Sequence, residues 1–310
     1  MISIVIPVYN AAAYLPALLA RLREQTMPHE LILIDSESDE RTQQIYRDEK
    51  VNVVRIKKTE FNHGTTRNLG LRIAQYDTVA FMTQDALPAS AETLQRLVEA
   101  LNSRQDIAMA YGRQLPYPET GFFGQFARII NYPDTSVIKT RELIPEMGVK
   151  TCSCSNSFAI YKKQELLNVG GFPSDTILGE DVSVAARFIL QGKAVAYCAE
   201  AQVFHSHDYT VLEEFKRYFD IGVFHQEQQA VLKEFTRAES EGFKYVMQEW
   251  QYLSRHHQIA LVPNQLVRVA AKYIGYKMGR LERLFPRRLK SKISMHPGFW
   301  HTSVTAAANH

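Results

Sequence analysis

The sequence lacks the features that mark secreted, membrane-spanning and dinucleotide-binding proteins. It has three cysteines, Cys152, Cys154 and Cys198, with no repeated CxxC, which argues against a disulfide framework and a structural zinc site. No apolar run reaches about 18 residues and the first residues alternate like a strand, so we expect neither a transmembrane helix nor a signal peptide. Neither GxGxxG after the first apolar run nor GxxxxGK[ST] occurs, so a dinucleotide-binding fold and a P-loop are not supported.

The net charge of +3 is distributed unevenly along the 310 residues. From Asn264 to the end there are nine Lys or Arg residues and one acid, Glu282, a net charge of +8. Residues 1–263 carry 27 basic and 32 acidic side chains, a net charge of −5. A nucleic-acid-binding protein spreads positive charge over the folded face that meets phosphate. This pattern instead indicates an acidic body with a basic anchor and predicts no nucleic-acid partner.

Apolar runs alternate with helical patterns over the first 110 residues. The runs ISIVIPVY, ELILID, VNVVRI, TVAFMTQD and IAMAYGRQL are typical of strands. This succession predicts an α/β fold, with a mostly parallel sheet covered by helices on both faces. Ligands of such sheets bind at the carboxyl ends of the strands. The candidate residues at those ends are Pro7, Tyr9, Asn10, Asp35, Ser36 and Asp85, although Asp35 alone also fits a turn or a helix N-cap.

Six segments follow one another in a fixed order along roughly the first 210 residues. They are SIVIPVYN (3–10), LILIDSESDE (31–40), TRNLGL (66–71), VAFMTQDALP (79–88), SNSFAIYKK (155–163) and GEDVSVAAR (179–187). In this order they resemble the family 2 glycosyltransferases, which have the Rossmann-like GT-A fold. FNHGTTRN, TQDA and RYFDIGVFH (217–225) are similar to the bacterial rhamnosyltransferases of that family. The resemblance implies a dTDP-L-rhamnose donor and a role in surface-polysaccharide (O-antigen) biosynthesis.

The resemblance also implies a donor site built from several of these segments. Its expected residues, which bind the base, ribose and diphosphate of the nucleotide sugar, are Pro7, Tyr9, Asn10, Asp35, Ser36, His63, Arg67, Asn68, Gln84 and Asp85. Asp35 would accept a hydrogen bond from the pyrimidine N–H. The guanidinium of Arg67 suits a diphosphate, and a place in the first turn of a helix favours an anion. The alternative for Arg67 is a solvated helix arginine without a ligand. His63 could contact the sugar, the phosphate or the acceptor, and the sequence does not choose among them.

The segment FMTQDALP (81–88) contains one carboxylate where the family usually has a DxD motif. Thr83 stands in place of the first acid, and Asp85 is the second. His205 and His207 follow a later apolar run, and the resemblance implies that a histidine there completes a metal shell. Because Mg²⁺ keeps several waters, one carboxylate can suffice. We therefore expect Mg²⁺ or Mn²⁺ on Asp85, His205 and His207, with structural hydrogen bonding as the alternative for either histidine.

Glu180 and Asp181 open a predicted helix. An acid pair at a helix N-terminus fits capping and the helix dipole. The ED motif of the family instead implies catalytic roles for Glu180 and Asp181. Asp181 would be the general base that takes the proton of the acceptor hydroxyl as that oxygen attacks the anomeric carbon, and the configuration would invert.

The pattern becomes helical after residue 210. We expect a GT-A domain at 1–210, a helical region at 211–298 and a flexible tail at 299–310. In the helical region a mostly apolar stripe lies beside a basic surface, which is typical of a helix lying on anionic lipid. Its residues are Leu266, Ala270, Ile274, Lys277, Leu281 and Phe285. The predicted location is peripheral, on the cytoplasmic face of the inner membrane and close to a lipid-linked glycan acceptor; the alternative is a packed helix with a solvated basic face.

Two other functions remain open from the sequence. One is a transferase that uses another donor, such as UDP-galactose or UDP-glucose. The other is a non-catalytic glycan-binding or scaffold protein, which the reduced DxD motif suggests. The presence of Asp35, Arg67, Asp85 and Asp181 favours an inverting glycosyltransferase.

Overall fold

The structure is a computed structural model that describes residues 1–235 and 238–302. The strands are β1 (Ile2–Val8), β2 (His29–Asp35), β3 (Val53–Arg55), β4 (Thr78–Met82), β5 (Leu87–Pro88), β6 (Ile107–Leu115), β7 (Val137–Lys139), β8 (Phe158–Lys162) and β9 (Ala194–Phe204). The helices are α1 (Leu15–Arg23), α2 (Glu40–Asp48), α3 (His63–Ile73), α4 (Thr93–Asn102), α5 (Phe122–Asn131), α6 (Ile144–Met147), α7 (Lys163–Asn168), α8 (Glu180–Leu190), α9 (Val211–Glu227), α10 (Gln229–Leu232), α11 (Ala238–Arg255), α12 (Val262–Arg280), α13 (Arg287–Ile293) and α14 (Phe299–Thr302). Short 3₁₀ segments lie at Lys58–Glu60, Arg141–Leu143, Gly148–Thr151, Lys233–Phe235, Ile259–Leu261 and Glu282–Leu284.

The contacts divide the chain into two compact units. The first comprises Met1–Ser174 and Glu180–His207, and contains the whole sheet. The second comprises Asp175–Gly179 and the chain from Asp208 onward, and is helical. Of the predicted tail, Phe299–Thr302 forms a helical turn, and residues 303–310 lie outside the described residues.

The sheet is mixed, with the strand order β3-β2-β1-β4-β8-β6-β9-β5 and with β7 also paired to β9. The first four strands in this order are parallel, as the sequence predicted. Strand β8 enters antiparallel between β4 and β6, while β6 and β9 are again parallel. A continuous apolar run indicates that both faces of a strand are buried, but it does not indicate whether the strand is parallel or antiparallel to its neighbours. The antiparallel insertion was therefore not visible in the sequence.

The core of the first unit lies between the central strands and the helices that cover them. In β1, consecutive side chains point to opposite faces of the sheet, and those on both faces are buried, including Ile4, Val5 and Ile6. Helix α4 buries Leu94, Leu97 and Leu101, a spacing that places them on one face. Each such buried side chain contributes about 1.5–3 kcal/mol relative to exposure. This packing makes the sheet a rigid platform for the loops at its edge.

The register of the strands brings several chain segments to one edge of the sheet. Val8, at the end of β1, lies opposite Asp35 at the end of β2. Met82, at the end of β4, lies opposite Phe158, because antiparallel β8 begins where β4 ends. The parallel strands β6 and β9 also end side by side, with Leu115 opposite Phe204. The loops that follow β1, β2, β4, β6 and β9, and the turn that precedes β8, therefore meet at this edge.

In the second unit, α9 and α12 pack closely through glycines. A Cβ at Gly275 would lie 2.3 Å from the carbonyl oxygen of Phe215, and one at Gly279 would lie 2.0 Å from that of Phe219. Any larger residue would therefore separate the two helices. None of the helices in the described ranges has the length and the apolar character needed to cross a bilayer.

Candidate active site

The loops after β1 and β4 are joined through the side chain of Gln84. Its Oε1 accepts the backbone N–H of Tyr9 at 2.8 Å, and its Nε2 donates to the Tyr9 carbonyl at 3.1 Å. The Tyr9 side chain remains accessible, with the residue 37% exposed. Lys58 Nζ lies 4.4 Å from the centre of the Tyr9 ring. The ring of Tyr9 is therefore accessible at the edge of the sheet, and the backbone of Tyr9 is held in place by Gln84.

Asn10 joins the loops after β1 and β2. Its backbone is in the left-handed region, with φ at 49°, which asparagine tolerates better than most residues. Its N–H donates to Ser38 Oγ at 2.9 Å, and its Oδ1 accepts the N–H of Asp39 at 2.8 Å. Pro7 lies inside β1, opposite Ile34, rather than after the strand.

Asp35 ends β2 and is only 1% exposed. Its carboxylate accepts hydrogen bonds from the Ser38 N–H at 3.2 Å, Gln43 Nε2 at 3.0 Å and the Tyr46 hydroxyl at 2.9 Å. Since an ionised carboxylate has about four acceptor positions, about one remains for a ligand. The next residue, Ser36, donates its hydroxyl to the last carbonyl of β1 at 3.1 Å. Both residues therefore help to fix the loop that they were predicted to use for binding.

The beginning of α3 is fixed by a cap and by a close backbone contact. Asn62 Oδ1 accepts the N–H of Gly64 at 2.9 Å and so caps the helix. A Cβ at Gly64 would lie 1.9 Å from the Pro173 carbonyl oxygen, so only glycine fits. Asn68 donates from Nδ2 to the Phe172 carbonyl at 2.7 Å and accepts the Phe172 N–H at 2.9 Å. The Asn68 amide thus fastens α3 to the 172–173 loop.

Arg67 and Glu180 form a buried ion pair. Arg67 Nη1 lies 3.0 Å from Glu180 Oε1, and the two side chains are 5% and 7% exposed. Arg67 also donates to the His63 carbonyl at 3.3 Å. Burial opposes ionisation of Glu180, but the neighbouring Arg67 charge holds the pKa of Glu180 below its usual range. Burial lowers the pKa of His63. The solvated alternative for Arg67 is therefore wrong.

Asp181 is held by the turn that precedes β8. Its Oδ2 accepts the backbone N–H of Asn156 at 2.8 Å, and its Oδ1 accepts that of Val182 at 2.8 Å. Asn156 Nδ2 donates to Glu180 Oε1 at 3.2 Å, and the Tyr161 hydroxyl donates to Asn156 Oδ1 at 2.7 Å. Burial, and next the charge of Glu180, raise the pKa of Asp181 to about 6. A carboxylate with a pKa close to neutrality suits general base catalysis.

Asp85, His205 and His207 converge on one point of the edge. Asp85 Oδ1 lies 3.5 Å from His205 Nε2, and Asp85 Oδ2 lies 3.6 Å from His207 Nε2. The two imidazole Nε2 atoms are 3.2 Å apart. Burial opposes ionisation of Asp85, yet its hydrogen bond to His205 and the histidine charges hold the pKa of Asp85 well below its usual range. This carboxyl group is therefore an anion throughout the neutral pH range.

The donor atoms of this cluster fit a divalent cation. One ligand atom from each of the three residues lies within 4.8 Å of the others. A carboxylate oxygen and the bare nitrogen of a neutral imidazole are both acceptors, so a cation between them satisfies all three. A carboxylate suits Mg²⁺ and Mn²⁺, whereas imidazole suits softer divalent ions, so the ligand types alone do not select one ion. The cluster expected from the sequence therefore exists as a potential metal site.

Two polar residues near the site escaped the sequence analysis. Asn156 lies in SNSFAIYKK (155–163), which resembles a segment of the family 2 glycosyltransferases but carries no predicted role. Its contacts to Glu180 and Asp181 depend on the fold. Gln114 ends the apolar run of β6 and lies next to His205. The rule that polar residues at strand ends form the site would have selected Gln114, had it been applied to β6 as it was to β1, β2 and β4.

Comparisons with known proteins identify the family of this chain. Residues 3–167 match the sequence profile of glycosyl transferase family 2. The chain is 39% identical over 303 residues, 97% of its length and 96% of the relative's, to the O-antigen chain rhamnosyltransferase RfbN of Salmonella typhimurium. It is 38% identical to the O-antigen chain rhamnosyltransferase WbaN of Salmonella anatum, over 96% of this chain and 95% of WbaN.

Two solved structures share the fold at low sequence identity. One is the mannosyltransferase PcManGT of Pyrobaculum calidifontis in complex with GDP-Man and Mn²⁺, with a TM-score of 0.57 and 15% identity, over 99% of this chain and 87% of the other. The other is S. aureus TarS 1-349 in complex with UDP-GlcNAc, with a TM-score of 0.53 and 17% identity, over 90% of each chain. The match to the family profile and the near-full-length relatives lead to one conclusion: this chain belongs to glycosyltransferase family 2 and has the GT-A fold.

Proposed function

We propose that this glycosyltransferase moves L-rhamnose from dTDP-L-rhamnose to a hydroxyl of a lipid-linked bacterial surface-glycan intermediate. The observation that carries the proposal is the near-full-length identity to two O-antigen chain rhamnosyltransferases. The clustering of acidic and basic side chains at one edge of the sheet agrees with it.

The donor would lie across the ends of β1, β2 and β4. The accessible Tyr9 ring suits the nucleobase, since aromatic faces stack on bases. Asp35 keeps about one acceptor position for the pyrimidine N–H. Arg67 is the proposed diphosphate residue, and its guanidinium is buried and paired with Glu180. The remaining donor-site residues of the proposal are Pro7, Asn10, Ser36, His63, Asn68, Gln84 and Asp85.

Asp181 would act as the general base. Because its pKa is raised to about 6, it is largely ionised at pH 7 and still basic enough to accept a proton from the acceptor hydroxyl. The Asn156 and Val182 N–H groups fix the direction of its carboxylate. Direct attack by that hydroxyl on the anomeric carbon, as the bond to the diphosphate oxygen breaks and dTDP leaves from the opposite face, inverts the configuration and requires no covalent intermediate. Glu180 keeps its charge beside Asp181 and so maintains the raised pKa.

Asp85, His205 and His207 would hold a Mg²⁺ or Mn²⁺ ion. When bound, such an ion neutralises charge on the diphosphate of the donor. The complex of PcManGT contains Mn²⁺.

A donor assay tests the proposal. The purified full chain is incubated with a lipid-linked glycan acceptor, a divalent cation and, separately, dTDP-L-rhamnose, UDP-galactose or UDP-glucose. We expect transfer from dTDP-L-rhamnose alone. Transfer only from a UDP-sugar would overturn the donor assignment. If no donor reacts and an Asp181→Asn variant complements a deletion strain as well as the wild type, the protein is the non-catalytic glycan-binding or scaffold alternative.

We further propose that the second unit docks on the anionic cytoplasmic face of the inner membrane. Leu266, Ile274 and Leu281 are 61%, 50% and 55% exposed, whereas the opposite face of α12 is buried and packs on α9 through its glycines. Of the predicted stripe, Leu266, Ala270, Ile274 and Lys277 are thus exposed on α12, whereas Leu281 follows the helix and Phe285 is half-buried. The stripe itself contains the exposed cation Lys277, and further exposed cations follow α12 at Arg283, Arg287 and Arg288. An apolar stripe with adjacent cations is suited to anionic lipid.

A further inference from the structure

The Gln114 amide lies between Arg128 and His205. Arg128 Nη1, on α5, donates a hydrogen bond to Gln114 Oε1. The same Oε1 lies 2.8 Å from Nδ1 of His205. Gln114 is 1% exposed and His205 is 6% exposed, so water does not compete for these contacts. Gln114 thus connects α5 to the cluster of Asp85, His205 and His207.

The chemistry of these three groups fixes the protonation of the imidazole. A guanidinium has only donors, so the atom of Gln114 that faces Arg128 must be the oxygen. That oxygen accepts from His205 as well, which requires the proton of the neutral ring to lie on Nδ1. Nε2 of His205 is then the nitrogen that binds a cation through its lone pair, and in the metal-free chain it can share a proton with Asp85. It lies 3.5 Å from Asp85 Oδ1.

We propose that Gln114, oriented by Arg128, is a positioning residue that holds His205 in its Nδ1–H tautomer and thereby presents Nε2 to the divalent cation. The inference rests on the proposed metal site. Histidine ligands commonly donate their second N–H to a carbonyl or a carboxylate, and loss of such a partner weakens metal binding about 10- to 100-fold. Here the acceptor is a side-chain amide that is itself held by a partly buried arginine.

The inference distinguishes two substitutions at Gln114. Gln114→Met keeps the approximate length of the side chain but removes the acceptor, so either ring nitrogen of His205 can carry the proton. Gln114→Glu keeps an acceptor for both Arg128 and His205. We expect Gln114→Met to bind Mn²⁺ about 10- to 100-fold more weakly and Gln114→Glu to keep the wild-type affinity or exceed it.

The affinity is measured on the full chain with MnCl₂ alone, by titrating free Mn²⁺ with electron paramagnetic resonance. Circular dichroism and the melting temperature show whether each variant folds. His205→Ala is the reference that removes the ligand itself. If His205→Ala binds Mn²⁺ as the wild type does, the proposed metal site is wrong. If His205→Ala loses Mn²⁺ but Gln114→Met does not, the metal site stands and the positioning role of Gln114 is wrong.

A measurement on the unsubstituted protein covers the case in which Gln114→Met does not fold. Long-range ¹H–¹⁵N correlation spectra of the metal-free chain show whether Nδ1 of His205 carries a proton. We expect Nδ1–H in the wild type, whether or not Nε2 also carries a proton toward Asp85, and partial loss of Nδ1–H in Arg128→Met, where the amide is free to turn over. A bare Nδ1 in the wild type would overturn the inference.

Discussion

The backbone N–H of Asn156 donates a hydrogen bond of 2.8 Å to Oδ2 of Asp181. This bond joins the turn before β8 to the first turn of α8. The same Asn156 also binds Glu180 through its side chain, so one residue sets the positions of both acids of the ED pair. The orientation of the proposed base therefore depends on the sheet edge rather than on a mobile loop.

Replacing Asp181 by Asn should remove the base while keeping most of the shape of the site. Since a positioned general base contributes about 10²- to 10⁴-fold, we expect kcat to fall by that factor. The melting temperature should fall as well, because the asparagine Nδ2 would face one of the two backbone N–H groups that the carboxylate accepts. Asp77→Asn, at an exposed acid before β4, is the matched control and should keep wild-type activity. A variant Asp181→Asn with wild-type kcat would remove Asp181 from the mechanism.

The pH dependence of kcat/KM should follow the ionisation of Asp181. The base must be deprotonated, and its pKa is raised to about 6, so activity should be full above that pH and decline as the pH falls through it. Because the charge of Glu180 contributes to this rise, Glu180→Gln should shift the ascending limb to lower pH. If the ascending limb of the Glu180→Gln profile stays in place or moves to higher pH, the charge of Glu180 does not raise the pKa of Asp181.

The ion pair of Arg67 and Glu180 should matter for stability. Removing one partner of a buried pair costs about 3–5 kcal/mol, because the other charge is left uncompensated. We expect Arg67→Met to lower the free energy of unfolding in urea by that amount, and Arg67→Met combined with Glu180→Gln to recover much of the loss. The exposed Arg72 of α3 provides the control, since Arg72→Met should change stability by about 0.5 kcal/mol or less. Equal urea midpoints for Arg67→Met and Arg72→Met would refute the prediction.

Membrane docking should depend on both the stripe and the lipid charge. In sedimentation with phosphatidylcholine vesicles, we expect binding only when phosphatidylglycerol is included, and weaker binding at high salt. Ile274→Glu should reduce the partition coefficient about tenfold or more, as expected from the loss of one buried apolar side chain. Ile73→Glu adds the same charge at an exposed position in the first unit and should have no effect. Equal binding by both variants, or to neutral vesicles, would rule out the proposed surface.

The sequence predicted much of the site because polar residues at strand ends must meet where parallel strands end. Asp85 and His205 are far apart along the chain, yet the strands that precede them carry both to one edge. The apolar runs placed Asp85, His205 and His207 after strands, and the resemblance to family 2 glycosyltransferases supplied the expectation that they hold a metal.

Other features depend on tertiary contacts that no local pattern records. The partner of Arg67 is Glu180, and their pairing follows from the packing of α3 beside α8. The three hydrogen bonds to the buried Asp35 carboxylate likewise depend on how α2 folds back on β2. The antiparallel direction of β8, which places Asn156 beside Asp181, was not encoded in its apolar run.

The central claim is that side chains from separate segments hold a nucleotide diphosphate and a cation at one edge of the sheet. Crystals of the full chain grown with dTDP and MnCl₂, with diffraction recorded at the manganese absorption edge, test it most directly. The account predicts one anomalous peak in contact with Asp85, His205, His207 and the diphosphate, with Asp181 facing the same cavity. A peak held by other residues, or dTDP bound away from this edge, would contradict the account.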